Sequence, residues 1–231
     1  MPGKVPARAT RAAALLLGLG ALAYTAWLLE VLVRTGLDPV RTYVSELAAA
    51  DQPLGGLFRA TDLAAGLLVL AGALAGLAAT RGPRRHEPWA LGGWIALAVF
   101  GAATVADSRL PLSCAPTADP ECAARETAGL VPATHLAHAV SSSLAMTGAL
   151  AAMVALTVAA RRYGHWRPLA RTGPALVVLE LAATAWTLAA VAAFEAGKGT
   201  WSLGAGQRLQ VLLVAVWLAV LAGSLPPRRV R

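Results

Sequence analysis

The chain has 231 residues, of which 57% are hydrophobic and 14% charged, with a net charge of +8. Soluble domains average roughly 45–50% apolar residues with glycine included, so this composition argues against a water-soluble globule, and apolar blocks of about twenty residues argue against disorder or a small disulfide scaffold. The basic residues sit in short clusters between those blocks and form no face, which points away from a nucleic-acid partner and toward a polytopic protein solvated by the lipid bilayer.

A bilayer core of about 30 Å takes roughly 20 helical residues. Six stretches meet that length, at residues 12–33, 54–80, 89–106, 132–160, 172–194 and 203–225. Lipid cannot satisfy bare backbone groups, and the period-two alternation of a barrel is absent. The expectation is therefore an all-α transmembrane bundle of six helices, one domain over residues 1–231. Lys4, Arg8 and Arg11 in the first tail, Arg81, Arg84 and Arg85, then Arg161, Arg162, Arg167 and Arg171, and finally Arg228, Arg229 and Arg231 make up 13 of the 20 basic residues. Positive loops stay inside, so both termini are predicted to be cytoplasmic. The first span is longer than a signal-peptide core of about 7–15 residues and carries Glu30 near its outer end, which predicts an uncleaved anchor. Trp89 and Trp166 fall at inner interfaces and Trp27 and Trp201 at outer ones, as interface anchors do.

In the first outer loop, Asp38 is a good N-cap and Pro39 a good first helical residue, which predicts a short interfacial helix carrying Ser45 and Glu46. Arg59 and Asp62, three apart in the second span, share a face. They either neutralise each other inside the bundle or face a ligand. Gly72 and Gly76 form a small-xxx-small pair suited to a tight bundle or to a homodimer contact. The loop 107–131 holds both cysteines, Cys114 and Cys122. On the oxidising side of the membrane a disulfide closing these nine residues is the expectation, worth about 2.6 kcal/mol in the chain-entropy model. Without a second pair, the two are a poor zinc signature.

His135 and His138 open the fourth span on one helical face, and Ser141 and Ser142 continue it. Asp107 ends the preceding span at similar depth. Two imidazoles and a carboxylate suit a divalent transition metal, and Ser, His and Asp suit hydrolysis. The alternative is that both histidines only bond loop carbonyls. Glu180 lies near the membrane midplane without a basic residue at its depth, and is expected to bond Thr184 or Thr187 or to serve proton or cation coupling. Arg208, in Gly204-Ala205-Gly206-Gln207-Arg208, is placed to pair with Glu195, Asp107 or an anionic ligand. No phosphate loop, HExxH helix or CxxC pair is present.

Asp38 to Leu47, Leu57 to Asp62, Ser113 to Thr117, His135 to His138 and Gln207 to Leu209 together resemble the bacterial integral membrane proteins of domain-of-unknown-function family 998. The resemblance spans nearly the whole chain. It implies a multispan helical domain in the bacterial cytoplasmic membrane and carries no settled activity. The chain is more loosely similar to the membrane hydrolases related to alkaline ceramidases, onto whose Ser, Asp and His pattern Ser45, Asp107, His135 and His138 can be laid. It departs from them in having six spans instead of seven and in its remaining histidines, His86 and His165, which lie on the cytoplasmic side.

Three functions follow, in this order. The first is a scaffold or lipid-associated protein in which Arg59 pairs with Asp62, and Arg208 with Glu195 or Asp107, leaving no cavity. The second is an extracytoplasmic hydrolase or metal enzyme acting on a lipid or small amphiphile. There His135, His138, Asp107 and Ser45 do the chemistry, and Arg59 and Arg208 hold an anion. The third is a small proton-coupled transporter using Glu180.

Overall fold

The computed structural model describes residues 4–80 and 87–225, with side chains from residue 8 onward. The side chain of Lys4, and Arg81, Arg84, Arg85, Arg228, Arg229 and Arg231, on which the orientation argument leans, lie outside the described residues, as does His86. The α-helices are α1 (Lys4–Tyr24), α2 (Gly55–Thr80), α3 (Pro88–Asp107), α4 (Pro120–Thr127), α5 (Ala133–Arg162), α6 (Arg167–Glu195) and α7 (Leu203–Ser224). Two 3-10 segments, Ala26–Val31 and Val44–Ala48, lie between α1 and α2. Among the described residues, six helical segments are long and apolar enough to cross a membrane. The chain is thus a multi-pass membrane protein.

The six long helices form a closed ring in chain order. α1 packs on α2, α2 on α3, α3 on α5, α5 on α6, α6 on α7, and α7 closes on α1. Six alternating crossings bring the start of α1 and the end of α7 to one side of the bundle. The connection carrying the cysteines therefore lies at the opposite side, called here the disulfide end. Leu17, Trp94, Leu97, Leu156, Trp217 and Leu218 fill the ring toward the termini and are buried to within about 1% exposure.

Local chemistry explains where the structure departs from the expected spans. The first span was expected to run as one helix to Val33, but α1 stops at Tyr24. Thr25 Oγ1 donates to the Leu22 carbonyl at 2.7 Å, so a side chain competes there for the helical acceptors, and the chain tightens into the 3-10 turn that carries Glu30. The fifth span begins at Arg167, five residues earlier than expected, because a Trp166-Arg167-Pro168 start places proline in the first turn. Helix α4 was not expected; Asp119 caps it by accepting from the Glu121 N–H at 2.9 Å. Gly72 and Gly76 are already used within the chain. A Cβ at Gly72 would lie 2.8 Å from Leu17, and one at Gly76 2.5 Å from Trp94, so this stripe seats neighbouring helices of the same chain.

Candidate functional site

The polar residues of the disulfide end are organised by the start of α7. A Cβ at Gly204 would lie 2.4 Å from the Thr42 carbonyl and 2.6 Å from that of Pro39. Glycine here lets the 38–44 loop sit directly on the helix. The Ala205 N–H donates to Val40 O, the Val44 N–H donates to Gln207 Oε1, and Arg208 Nη1 donates to Thr42 O. Asp38 does not cap a helix as expected. Its Oδ1 accepts from the Val40 N–H in a turn, and the 3-10 segment carrying Ser45 and Glu46 starts only at Val44.

Both arginines have partners other than those expected. Arg208 grips Glu30 through Nε–Oε1 at 2.6 Å and Nη2–Oε2 at 2.7 Å, a two-pronged ion pair that corrects the pairing with Glu195 or Asp107. Arg59 Nη1 donates to the Ala48 and Ala49 carbonyls at 2.7 and 3.2 Å. It closes the end of the second 3-10 segment and leaves Asp62 unpaired, so the Arg59–Asp62 pair does not form. A guanidinium used in this way satisfies carbonyls that the short helix cannot.

Glu46 is fully buried and takes the Thr117 N–H and hydroxyl at 2.7 and 2.6 Å. It thereby ties the first loop to the Cys114–Cys122 disulfide loop, whose bridge is formed as expected. Burial pushes the Glu46 carboxyl up to about 7, against the opposing pull of the Thr117 bonds, the Tyr43 backbone and the Arg208 charge.

The two histidines share a face of α5 but serve different partners. His135 Nδ1 accepts from the Ser113 N–H at 3.1 Å and contacts Ser113 Oγ at 2.9 Å, while Nε2 stands 3.3 Å from Glu126 Oε1. It belongs to the disulfide-loop clamp. His138 Nδ1 lies 3.0 Å from the Leu110 carbonyl and 3.2 Å from Asp107 Oδ1. A carbonyl can only accept, so the proton is assigned to Nδ1 and Nε2 faces Ser142 Oγ at 3.3 Å. Asp107 also accepts from Ser141, and from Ser142 at 2.9 and 3.0 Å. His135, His138 and Asp107 therefore do not converge on one point, and among the described residues no three His, Cys, Asp or Glu side chains form a metal-ligand group.

A cavity of about 130 Å³ lies beside Asp107, bounded by α1, α2, α3, α5, α7 and the first loop. Ser45, Asp62, Asp107 and Ser142 line it together with Tyr24 and Trp27, and Gln207 and Gln210 close the α7 side. Among the described residues, no Lys or Arg lines it. Among the described residues Asp62 makes no hydrogen bond or ion pair, and the buried Trp27 Nε1 has no partner. Glu180, expected to bond Thr184 or Thr187, is fully buried and has the Thr184 hydroxyl and the Gln210 amide beside it, though among the described residues neither carboxylate oxygen closes a full hydrogen bond. Thr184 accepts from Gln210 Nε2 at 2.9 Å, and among the described residues the Thr187 hydroxyl has no partner. Gln210 thus touches the cavity on one side and has Glu180 as its neighbour on the other.

The structure brings together Ser45, Asp62, Asp107 and Ser142, and it sends His135, Arg59 and Arg208 elsewhere. Tyr24, Trp27, Gln207 and Gln210 were missed as lining residues. Their spacing carried a signal: each pair is three apart, so each shares a helical face in an otherwise apolar span. The family model for "Protein of unknown function (DUF998)" matches residues 7–224. No curated protein and no solved structure matches.

Proposed function

We propose that this chain, which belongs to the DUF998 family of proteins of unknown function, binds a small cation in the cavity within its membrane-spanning bundle. One observation carries this reading: two carboxylates, Asp62 and Asp107, face a cavity of about 130 Å³ that no Lys or Arg among the described residues lines. Low-dielectric walls focus the field of those charges, which attracts cations and repels anions. The scaffold expectation was to be marked by Arg59–Asp62 and Arg208–Glu195 or Arg208–Asp107 pairs with no cavity; both arginines are satisfied by other groups of the chain, and the cavity left beside Asp62 favours the binding reading over it. The distribution of Lys and Arg argues for cytoplasmic termini, with the cavity near the extracytoplasmic side of a bacterial plasma membrane.

The test is thermal stability of the purified chain against chloride salts of inorganic and organic cations, and sodium salts of anions, at matched ionic strength. At least one cation is expected to raise the melting temperature, and Asp62→Asn is expected to weaken its apparent affinity tenfold or more. Equal stabilisation by anions, or an unchanged response in Asp62→Asn, would overturn the reading.

A second reading rests on connectivity. Ser142 Oγ near His138 Nε2, and His138 Nδ1 near Asp107, is the order of nucleophile, base and orienting carboxylate. It ranks second because Ser142 also donates to Asp107 and, among the described residues, no Lys or Arg lines the cavity to help hold an oxyanion. Ser142-dependent labelling by a fluorophosphonate would support it, and labelling that persists in Ser142→Ala would remove it.

A further inference from the structure

The cavity wall carries more than charge. Tyr24 and Trp27 face it beside Asp62, with Met146 and Val211 completing the apolar side. A calcium ion takes six to eight oxygens and magnesium a near-octahedral shell; hydroxyl and amide oxygens of Ser45, Thr104, Ser142, Gln207 and Gln210 stand on one side of the cavity, whereas the indole, phenol ring, thioether and isopropyl surfaces on the other offer a bare metal ion little. Aromatic faces attract organic ammonium ions, whose carbon body also suits apolar contact. The second feature is the Trp27 N–H, buried and without a hydrogen-bond acceptor. Buried donors in folded proteins are normally bonded, so an unmet one on a side chain that lines a cavity points to a ligand that supplies the acceptor as the ring adjusts to it. Asp62 supplies the complementary charge, since Arg59 bonds the Ala48 and Ala49 carbonyls and leaves it unpaired.

We propose that the cavity takes a small organic ammonium ion that also carries an oxygen acceptor, an amino alcohol in chemical class. Asp62 receives the ammonium, the rings of Tyr24 and Trp27 flank the carbon body, and Trp27 Nε1 donates to the ligand oxygen. This rests on the cation-binding reading above and narrows it. The same chemistry occurs in a free amino alcohol and in the headgroup of an aminophospholipid.

Isothermal titration of the full chain in phosphatidylglycerol nanodiscs compares ethanolamine, tetramethylammonium, sodium and magnesium chlorides at constant ionic strength. Ethanolamine is expected to bind at least tenfold more tightly than sodium or magnesium. Binding of an inorganic cation without ethanolamine overturns the inference and leaves the cation reading standing; no binding by any cation overturns both. Trp27→Phe keeps a ring and loses the N–H. It is expected to weaken ethanolamine about tenfold and leave tetramethylammonium unchanged, and equal effects on the two, or none, overturn the acceptor assignment. The wild-type selectivity series needs no variant to fold. Adding phosphatidylethanolamine to the nanodiscs separates the sources. Competition that raises the apparent Kd of ethanolamine threefold or more identifies the headgroup, and an unchanged Kd identifies the free amine.

Discussion

Arg208 and Glu30 show what a single pair does in this bundle. Their two charge-assisted bonds join α7 to the 3-10 turn that continues α1, and both side chains are at most 8% exposed. Removing one partner leaves a buried charge uncompensated, whereas removing both does not. Arg208→Ala is expected to lower stability by about 3–5 kcal/mol, and the double variant Arg208→Met with Glu30→Met to recover much of that loss, read from denaturant unfolding in detergent. Glu46 makes a pH-dependent contribution. Its carboxyl is raised from 4.5 to about 7 in the folded chain, so between those values the native state holds a proton that the unfolded state has lost. Stability from this group therefore falls as pH rises from about 4.5 to 7 and is flat above. Melting curves of wild type and Glu46→Gln across that window are expected to diverge, with the flatter profile in the variant. The Thr117 bonds make Glu46 part of the disulfide-loop clamp, so the same titration reads how firmly that loop is held.

At the scale of elements, small residues set how closely the helices cross. A Cβ at Gly101 would sit 2.5 Å from the Leu70 backbone nitrogen, and one at Gly66 2.8 Å from that of Val105. Backbone meets backbone there, with no side chain able to yield, so α2 and α3 approach more closely than any other residue type permits. Gly101→Ala is expected to destabilise the bundle by about 1–3 kcal/mol, the cost of overpacking. Because α2 carries Asp62 and α3 carries Asp107, the same variant is expected to weaken cation binding in the thermal-shift series. An unchanged melting temperature would show that the crossing relaxes freely. The spans themselves were legible from apolar length, because each must satisfy its own backbone in lipid. Helix α4 was not, since its signal is one capped turn in a polar loop.

For the molecule as a whole, the closed ring makes the two ends inequivalent: apolar side chains fill the terminal half, and polar groups gather at the disulfide half. Lys and Arg clusters predict that the disulfide half faces away from the cytoplasm. The native cysteines are bridged, so engineered thiols report alone. A membrane-impermeant maleimide applied to intact cells is expected to label Ala118→Cys and spare Arg162→Cys. The reverse pattern would invert the map and move the cavity to the cytoplasmic side.

The amino-acid sequence alone determined the membrane solvent, the six crossings, the disulfide and the family, because each depends on composition, run length or local spacing. It also singled out Ser45, Asp62, Asp107 and Ser142 among the polar residues at the cavity, and not Tyr24, Thr104, Gln207 or Gln210, since a charge in an apolar span is more conspicuous than a neutral polar group. Only the tertiary structure decided who meets whom. Arg59 looked paired with Asp62 because they share a helical face, yet it reaches the Ala48 and Ala49 carbonyls of a loop folded over that helix. Arg208 found Glu30 178 positions away. The two histidines, three apart, parted to Ser113 and Asp107. Which neighbour a side chain faces depends on the rotation and crossing of packed helices, and periodicity within one helix cannot fix an angle relative to another.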